Sequence, residues 1–213
     1  MAKIKGPVFN NLSGRIGNMV IYQLNGKTVA RAISALPAKP AIGRQLIARQ
    51  RFGRISSIMV ATHEMVSVGF GWEDAERTPQ QYACSCNVKL FHKEISERTE
   101  PYYPDMQFSH GNLSNVTDAH CTMNATNEFT LTWEGFEADK PHHDTDSLMF
   151  MFICFDDLQK VKVFSSISRS AGMATGTLPA SFTGATLHLY MAFHNHQTKT
   201  NDFASNTRYV PIQ

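Results

Sequence analysis

The sequence predicts an α+β protein in which an N-terminal β-hairpin and two helices precede an antiparallel β-sandwich. Three observations carry this expectation. Asn25-Gly26 separates two short runs suited to strands, and that dipeptide favours the tight turn of a hairpin. Apolar residues recur at spacings of three and four over residues 43–68, the period of a helix with one buried side. From about Tyr102 the period falls to two, and short apolar runs alternate with turn residues, as in a sandwich.

The hairpin spans residues 15–33, with Met19-Val20-Ile21-Tyr22 and Thr28-Val29-Ala30-Arg31 as its arms. Gly14 and Gly17 upstream allow a tight backbone path. Pro37 and Pro40 then impose an extended connector. In the first helix Ala48, Phe52, Ile55, Met59, Thr62 and Val66 form one apolar stripe. Arg44, Arg51 and Arg54 are expected on another face, where cations near a helix start oppose its dipole. The second helix begins at Thr78-Pro79-Gln80-Gln81. Thr78 suits the N-cap, Pro79 the first helical position, and Gln81 completes a capping box.

In the second half, Phe129, Leu131 and Trp133 alternate with Thr130, Thr132 and Glu134, which predicts a half-buried strand. Leu148 to Phe155 is apolar throughout and reads as a strand buried on both faces. Strands are also expected at Val161–Phe164, Thr175–Leu178, Thr186–Phe193 and Thr207–Val210. The boundary falls near residues 100–106. It leaves a basic hairpin, connector and helical region (1–103) and a sandwich domain (104–213), the latter expected to fold alone.

Charge divides the chain more sharply than hydropathy. The first 63 residues hold ten Lys or Arg and no Asp or Glu. The remaining 150 hold ten Lys or Arg against 18 acids. So basic a segment repels itself unless something anionic lies close. Its candidate partner- or anion-binding residues are Arg15, Lys27, Arg31, Lys39, Arg44, Arg49, Arg51 and Arg54. The anion is either an acidic protein surface or nucleic acid, for which Tyr22, Phe52 and Phe9 offer stacking.

Several motifs fall short of an enzyme. No Gly-x-Ser-x-Gly elbow occurs, and Gly14-x-x-Gly17 lacks the Gly-Lys-Ser/Thr of a phosphate loop. Asp156-Asp157 follows a strand, where a turn explains it. His142, His143, Asp144 and Asp146 cluster without the further oxygen ligands of a calcium loop. His194 and His196 lack a fuller ligand set. Cys84 and Cys86 lack CxxC spacing and read as packing residues. No metal, cofactor, small-molecule substrate or catalytic residue is therefore expected. The lysines after Met1 precede no long apolar stretch, so a secretory leader is not expected and the thiols should stay reduced. No run is long enough for a membrane span.

Four blocks resemble an uncharacterised family of Bacteroidetes proteins: Gly6 to Arg31, especially Ser13 to Val20 with Asn25-Gly26-Lys27 and Val29-Ala30-Arg31; Pro37 and Pro40 followed by Gln45, Arg49, Arg51 and Phe52; Phe108-Ser109-His110-Gly111-Asn112-Leu113; and Thr132-Trp133 with Thr145-Asp146. This copy departs from the pattern at Ala41-Ile42-Gly43, where a Thr/Asn-rich turn is usual. The resemblance implies an immunoglobulin- or fibronectin-like sandwich after the basic region. It brings no activity or catalytic residues. The layout is similar to structural proteins of tailed phages infecting these bacteria, an analogy of architecture alone. The expected function is thus a non-enzymatic subunit of a larger assembly, a homo-oligomer or a complex with other subunits. It would be cytoplasmic, or part of a virion if phage-encoded. Nucleic-acid binding through the basic region is the alternative.

Overall fold

The computed structural model describes residues 2–4, 12–24, 26–33, 40, 42–71, 77–91, 100–195 and 203–213. They form an α+β fold with three separate antiparallel sheets. Strands β1 (Ala2–Ile4), β2 (Gly14–Ile16), β3 (Met19–Leu24) and β4 (Lys27–Ala32) build the first, in the order β1-β4-β3-β2. The expected hairpin is its β3–β4 centre, with Leu24 opposite Lys27. Gly17 and Gly26 sit in the turns with φ of 56° and 71°, a conformation in which a Cβ is costly.

Three helices follow: α1 (Arg44–Ala61), α2 (His63–Gly69) and α3 (Pro79–Asn87). The single helix expected over 43–68 is divided at Thr62. The Thr62 hydroxyl donates to the Ile58 carbonyl at 2.9 Å, a back-bond that bends helices. Helix α3 starts as predicted: the Gln81 amide donates to Thr78 Oγ1 at 3.3 Å, and the Thr78 amide to Gln81 Oε1 at 3.1 Å.

Seven strands complete the chain: β5 (Asp118–Met123), β6 (Glu128–Glu134), β7 (Ser147–Ile153), β8 (Val161–Ser168), β9 (Met173–Thr177), β10 (His188–His194) and β11 (Arg208–Val210). They form a three-stranded sheet, β5-β6-β9, and a four-stranded sheet, β11-β10-β7-β8. Phe129, Leu131 and Trp133 of β6 share one core with Leu148, Phe150 and Phe152 of β7 and with Leu189, Met191 and Phe193 of β10. Strand β6 alternates as expected, its odd-numbered residues 129, 131 and 133 inward.

The other side of β7 and β10 faces the helices. Met149, Met151, Ile153, Tyr190 and Ala192 form a second core with Ile55, Ile58 and Met59 of α1 and Met65 and Val66 of α2. Strand β7 is therefore buried on both faces, as its unbroken apolar run predicts. The boundary expected at 103/104 cuts through this second core.

All four cysteines are free thiols, Cys121 and Cys154 buried, and burial pushes the Cys121 thiol up to about 11. Reductant is expected to leave the melting temperature unchanged. A clear fall on adding dithiothreitol would contradict this.

Candidate partner-binding surface

Strand register sorts the N-terminal cations. Arg15 lies opposite Val20, and Val20 opposite Arg31. Tyr22 is paired with Val29, and Leu24 with Lys27. Residues directly opposite share a face, as do residues two apart along a strand. Arg15, Lys27 and Arg31 thus stand on the same face as Val20, Tyr22 and Val29. All three cations are exposed, while Val29 is buried and Tyr22 half-buried. Arg15 donates from Nε to the Gly17 carbonyl at 3.0 Å, which steadies it on the hairpin. These strands make their extensive contacts with one another.

The other described candidates lie on α1. Lys39 and Phe9 lie outside the described residues. Arg44 and Arg49 are exposed on the first turns of α1, which starts at Gly43 with no side-chain cap and no acid. Arg51 and Arg54 were expected away from the apolar stripe, and their placement corrects this. Each precedes a buried isoleucine, Ile55 and Ile58, by four residues, so each shares the core-facing side. The Arg51 guanidinium sits 5.3 Å from the Phe91 ring centre. Arg54 donates to Glu100 Oε2 at 2.8 Å, to the Phe155 carbonyl at 2.7 Å and to the Tyr103 hydroxyl at 3.1 Å. The stripe is rotated accordingly. Phe52 is 56% exposed and lines a groove of about 300 Å³ between α1 and α3 with Val60, Cys84 and Val88.

Reversing charge should therefore separate two kinds of arginine. Arg54→Glu is expected to destabilise the fold by about 1–3 kcal/mol, because it removes a donor from the Phe155 carbonyl and sets a carboxylate beside Glu100. Arg44→Glu should be neutral or stabilising by up to about 1 kcal/mol, since an anion suits a helix start. Urea unfolding of both variants checks this; equal costs would contradict the assignment.

The cluster of His142, His143, Asp144 and Asp146 forms a turn entering β7. Asp146 is buried, accepts the His143 amide at 2.8 Å and Asn195 Nδ2 at 3.0 Å, and lies 3.3 Å from Arg169 Nε. Its counter-ion is thus a side chain of the same chain. His142 stacks on Phe136 with ring centres 3.8 Å apart. His194 is buried in β10, and His196 lies outside the described residues. Among the described residues no group of three or more His, Cys, Asp or Glu is placed to hold a metal ion. No described helix is long and apolar enough to cross a membrane. Asp156-Asp157 is a turn, with Asp157 Oδ1 accepting the Gln159 amide at 3.1 Å.

Sequence reasoning did not single out the outward side of β5-β6-β9. Asp118 is directly opposite Glu134, His120 opposite Thr132, and Thr132 opposite Met173. The only trace in the sequence is that Thr130, Thr132 and Glu134 alternate with the core residues of β6.

A family model described as a family of unknown function (DUF6266) matches residues 11–210. The chain belongs to the DUF6266 family. Comparison with curated proteins gave no match. Two of the segments that carry the resemblance, Phe108–Leu113 and the one with Trp133, are structural stitches. In Phe108–Leu113 the Phe108 and Ser109 amides donate to Thr207 Oγ1 at 2.7 and 2.8 Å, Ser109 Oγ to the Ser205 carbonyl at 2.6 Å, and the Leu113 amide to the Ala204 carbonyl at 3.0 Å. A Cβ at Gly69 would run into the Phe108 carbonyl oxygen. Trp133 Nε1 donates to the Arg169 carbonyl at 2.9 Å. In this DUF6266 chain, Ser13 to Arg31 differs from those stitches, because it presents charge outward.

Proposed function

We propose that this protein is a non-enzymatic assembly subunit, held by its basic N-terminal region against acidic surfaces of neighbouring subunits. The observation that carries the reading is the register that gathers Arg15, Lys27 and Arg31 on one face of the first sheet. Exposed, like-charged residues gathered on one face lower their mutual repulsion when an anionic surface covers them. The acids of the rest of the chain supply such a surface in every copy.

The finer reading is an immunoglobulin- or fibronectin-like body in a virion or tail component of phages infecting Bacteroidetes. Strand order supports the body. In immunoglobulin domains the third strand pairs with the penultimate one, and that with the last, in one sheet, while the first two strands lie in the other. Here β7, β10 and β11 follow that order, β5 and β6 lie in the other sheet, and the two sheets share a core. The phage assignment rests on analogy of layout.

Multi-angle light scattering over protein concentration and salt tests the assembly reading. Self-association that weakens from 50 mM to 500 mM salt is expected, since exposed charge pairs are screened within a Debye length of about 8 Å near physiological salt. A monomer throughout would overturn it. Tyr22 on the basic face favours a second reading, nucleic-acid binding. In that case the monomer would bind DNA with affinity falling steeply with salt.

A further inference from the structure

We propose that the outward face of β5-β6-β9 is the acceptor for the basic face of the first sheet of a second copy of this chain. The proposal rests on the assembly reading and names its two surfaces.

The acceptor face is mostly polar, and its outward strand positions include no Lys or Arg. Its outward positions are Asp118, His120 and Thr122 on β5, Glu128 to Glu134 at even numbers on β6, and Met173, Thr175 and Thr177 on β9. Like charges directly opposite one another weaken a sheet, yet Asp118 faces Glu134 across the β5–β6 ladder. Within the chain Asp118 has His120 at 3.1 Å. The two carboxylates, with Thr132 and Gly172, border a polar hollow of about 330 Å³ open to the surface. A guanidinium forks into such a pair of carboxylates with several charge-assisted hydrogen bonds.

The donor face fits that pattern. Arg15 and Arg31 flank Val20 in one cross-strand row, and Tyr22 lies in the next. On the acceptor, the acidic row Asp118–Glu134 is followed by the row containing Thr132 and Met173, the latter 55% exposed. Sheet stacked on sheet therefore brings arginine over carboxylate and Tyr22 over Met173. The occupant is a second copy because each copy carries both rows of opposite charge, and among the described residues Arg15, Arg31, Thr132 and Glu134 are all exposed.

Donor and acceptor are different surfaces, so the contact is heterologous and closes a ring or propagates a filament. Three strands and seven residues give a face of roughly 14 by 23 Å. That is well under the ~800 Å² per partner of a stable pairwise interface. Each contact is accordingly weak and salt-sensitive, and assembly depends on repetition.

The test uses full-length protein in sedimentation velocity at low salt. Asp118→Lys with Glu134→Lys, and separately Arg15→Glu with Arg31→Glu, should each abolish higher-order species. Mixed in equal amounts, the two variants present both a parental and a charge-swapped pair of faces and should regain growth as an alternating assembly. All four reversals in one chain should restore growth. Far-UV circular dichroism and a thermal melt confirm folding. Should a reversal unfold the protein, Asp118→Asn with Glu134→Gln, which keeps size and shape, should weaken association at least tenfold. If the parent assembles and the acidic-face variants assemble equally well, this interface is wrong while the assembly reading stands. If the parent is monomeric at every concentration, both fall.

Discussion

A fragment of residues 104–213 is expected not to fold into a stable monomer, although the strand pattern of its sequence predicts a domain that folds alone. Its inner core, from Phe129 and Trp133 to Phe193, remains intact. What it loses is the cover on the other side of β7 and β10. Met149, Met151, Ile153 and Tyr190 are buried, each no more than 2% exposed, against Ile55, Ile58, Met59, Met65 and Val66 of the helices. Fully uncovering one such side chain costs about 1.5–3 kcal/mol. Uncovering four approaches the whole 5–15 kcal/mol that holds a domain folded. The bare patch would also promote aggregation. A fragment of residues 43–213 keeps the cover and should unfold cooperatively in urea near the full-length midpoint. Cooperative unfolding of 104–213 at that same midpoint would show that the helices add nothing.

Legibility in the sequence followed the range of the interaction. The capping box of α3 needs only Thr78 and Gln81, three residues apart, and it was readable. The two-sided burial of β7 was readable because its apolar run is unbroken, and the inward side of β6 because Phe129, Leu131 and Trp133 alternate with polar residues. Strand β5 was not, since its inward residues Ala119 and Cys121 are small and its identity comes from pairing with β6. Arg54 was misjudged because its partner, the Phe155 carbonyl, is 101 residues away. Asn87 was silent too. Its side chain clamps the Gln107 backbone, donating to the carbonyl at 2.7 Å and accepting the amide at 2.8 Å. The charge split was plain from the sequence. What it could not supply is the strand register that puts Arg15 and Arg31 on one face, and the tertiary contacts that bring Arg51 to the Phe91 ring and Arg54 to the Phe155 carbonyl.

Asp146→Ala is expected to cost about 3–5 kcal/mol, because it strands a buried guanidinium. Arg169 is 8% exposed and its charge lies 3.8 Å from the Phe193 ring centre. Burial pushes its pKa down, and the Asp146 charge opposes that. Nη2 donates to the Ser114 carbonyl at 2.6 Å, and the Arg169 amide to the Asp146 carbonyl at 2.8 Å. Asp146 also accepts from the His143 amide and from Asn195. One ion pair thereby ties the turn before β7, the segment after β8, the end of β10 and the chain at Ser114. Without the carboxylate the guanidinium keeps its charge, and the His143 amide and Asn195 lose their acceptor. Asp146→Asn retains an acceptor and nearly the same volume, so it should cost less than Asp146→Ala. Asp146→Leu with Arg169→Met removes both charges together and should cost less than the sum of the two single changes, as coupled partners do. Urea unfolding of the six proteins (parent, Asp146→Ala, Asp146→Asn, Asp146→Leu, Arg169→Met and the double variant) measures these differences. An Asp146→Ala cost below about 1 kcal/mol, the level of an exposed pair, would mean that the guanidinium finds water when its partner is gone.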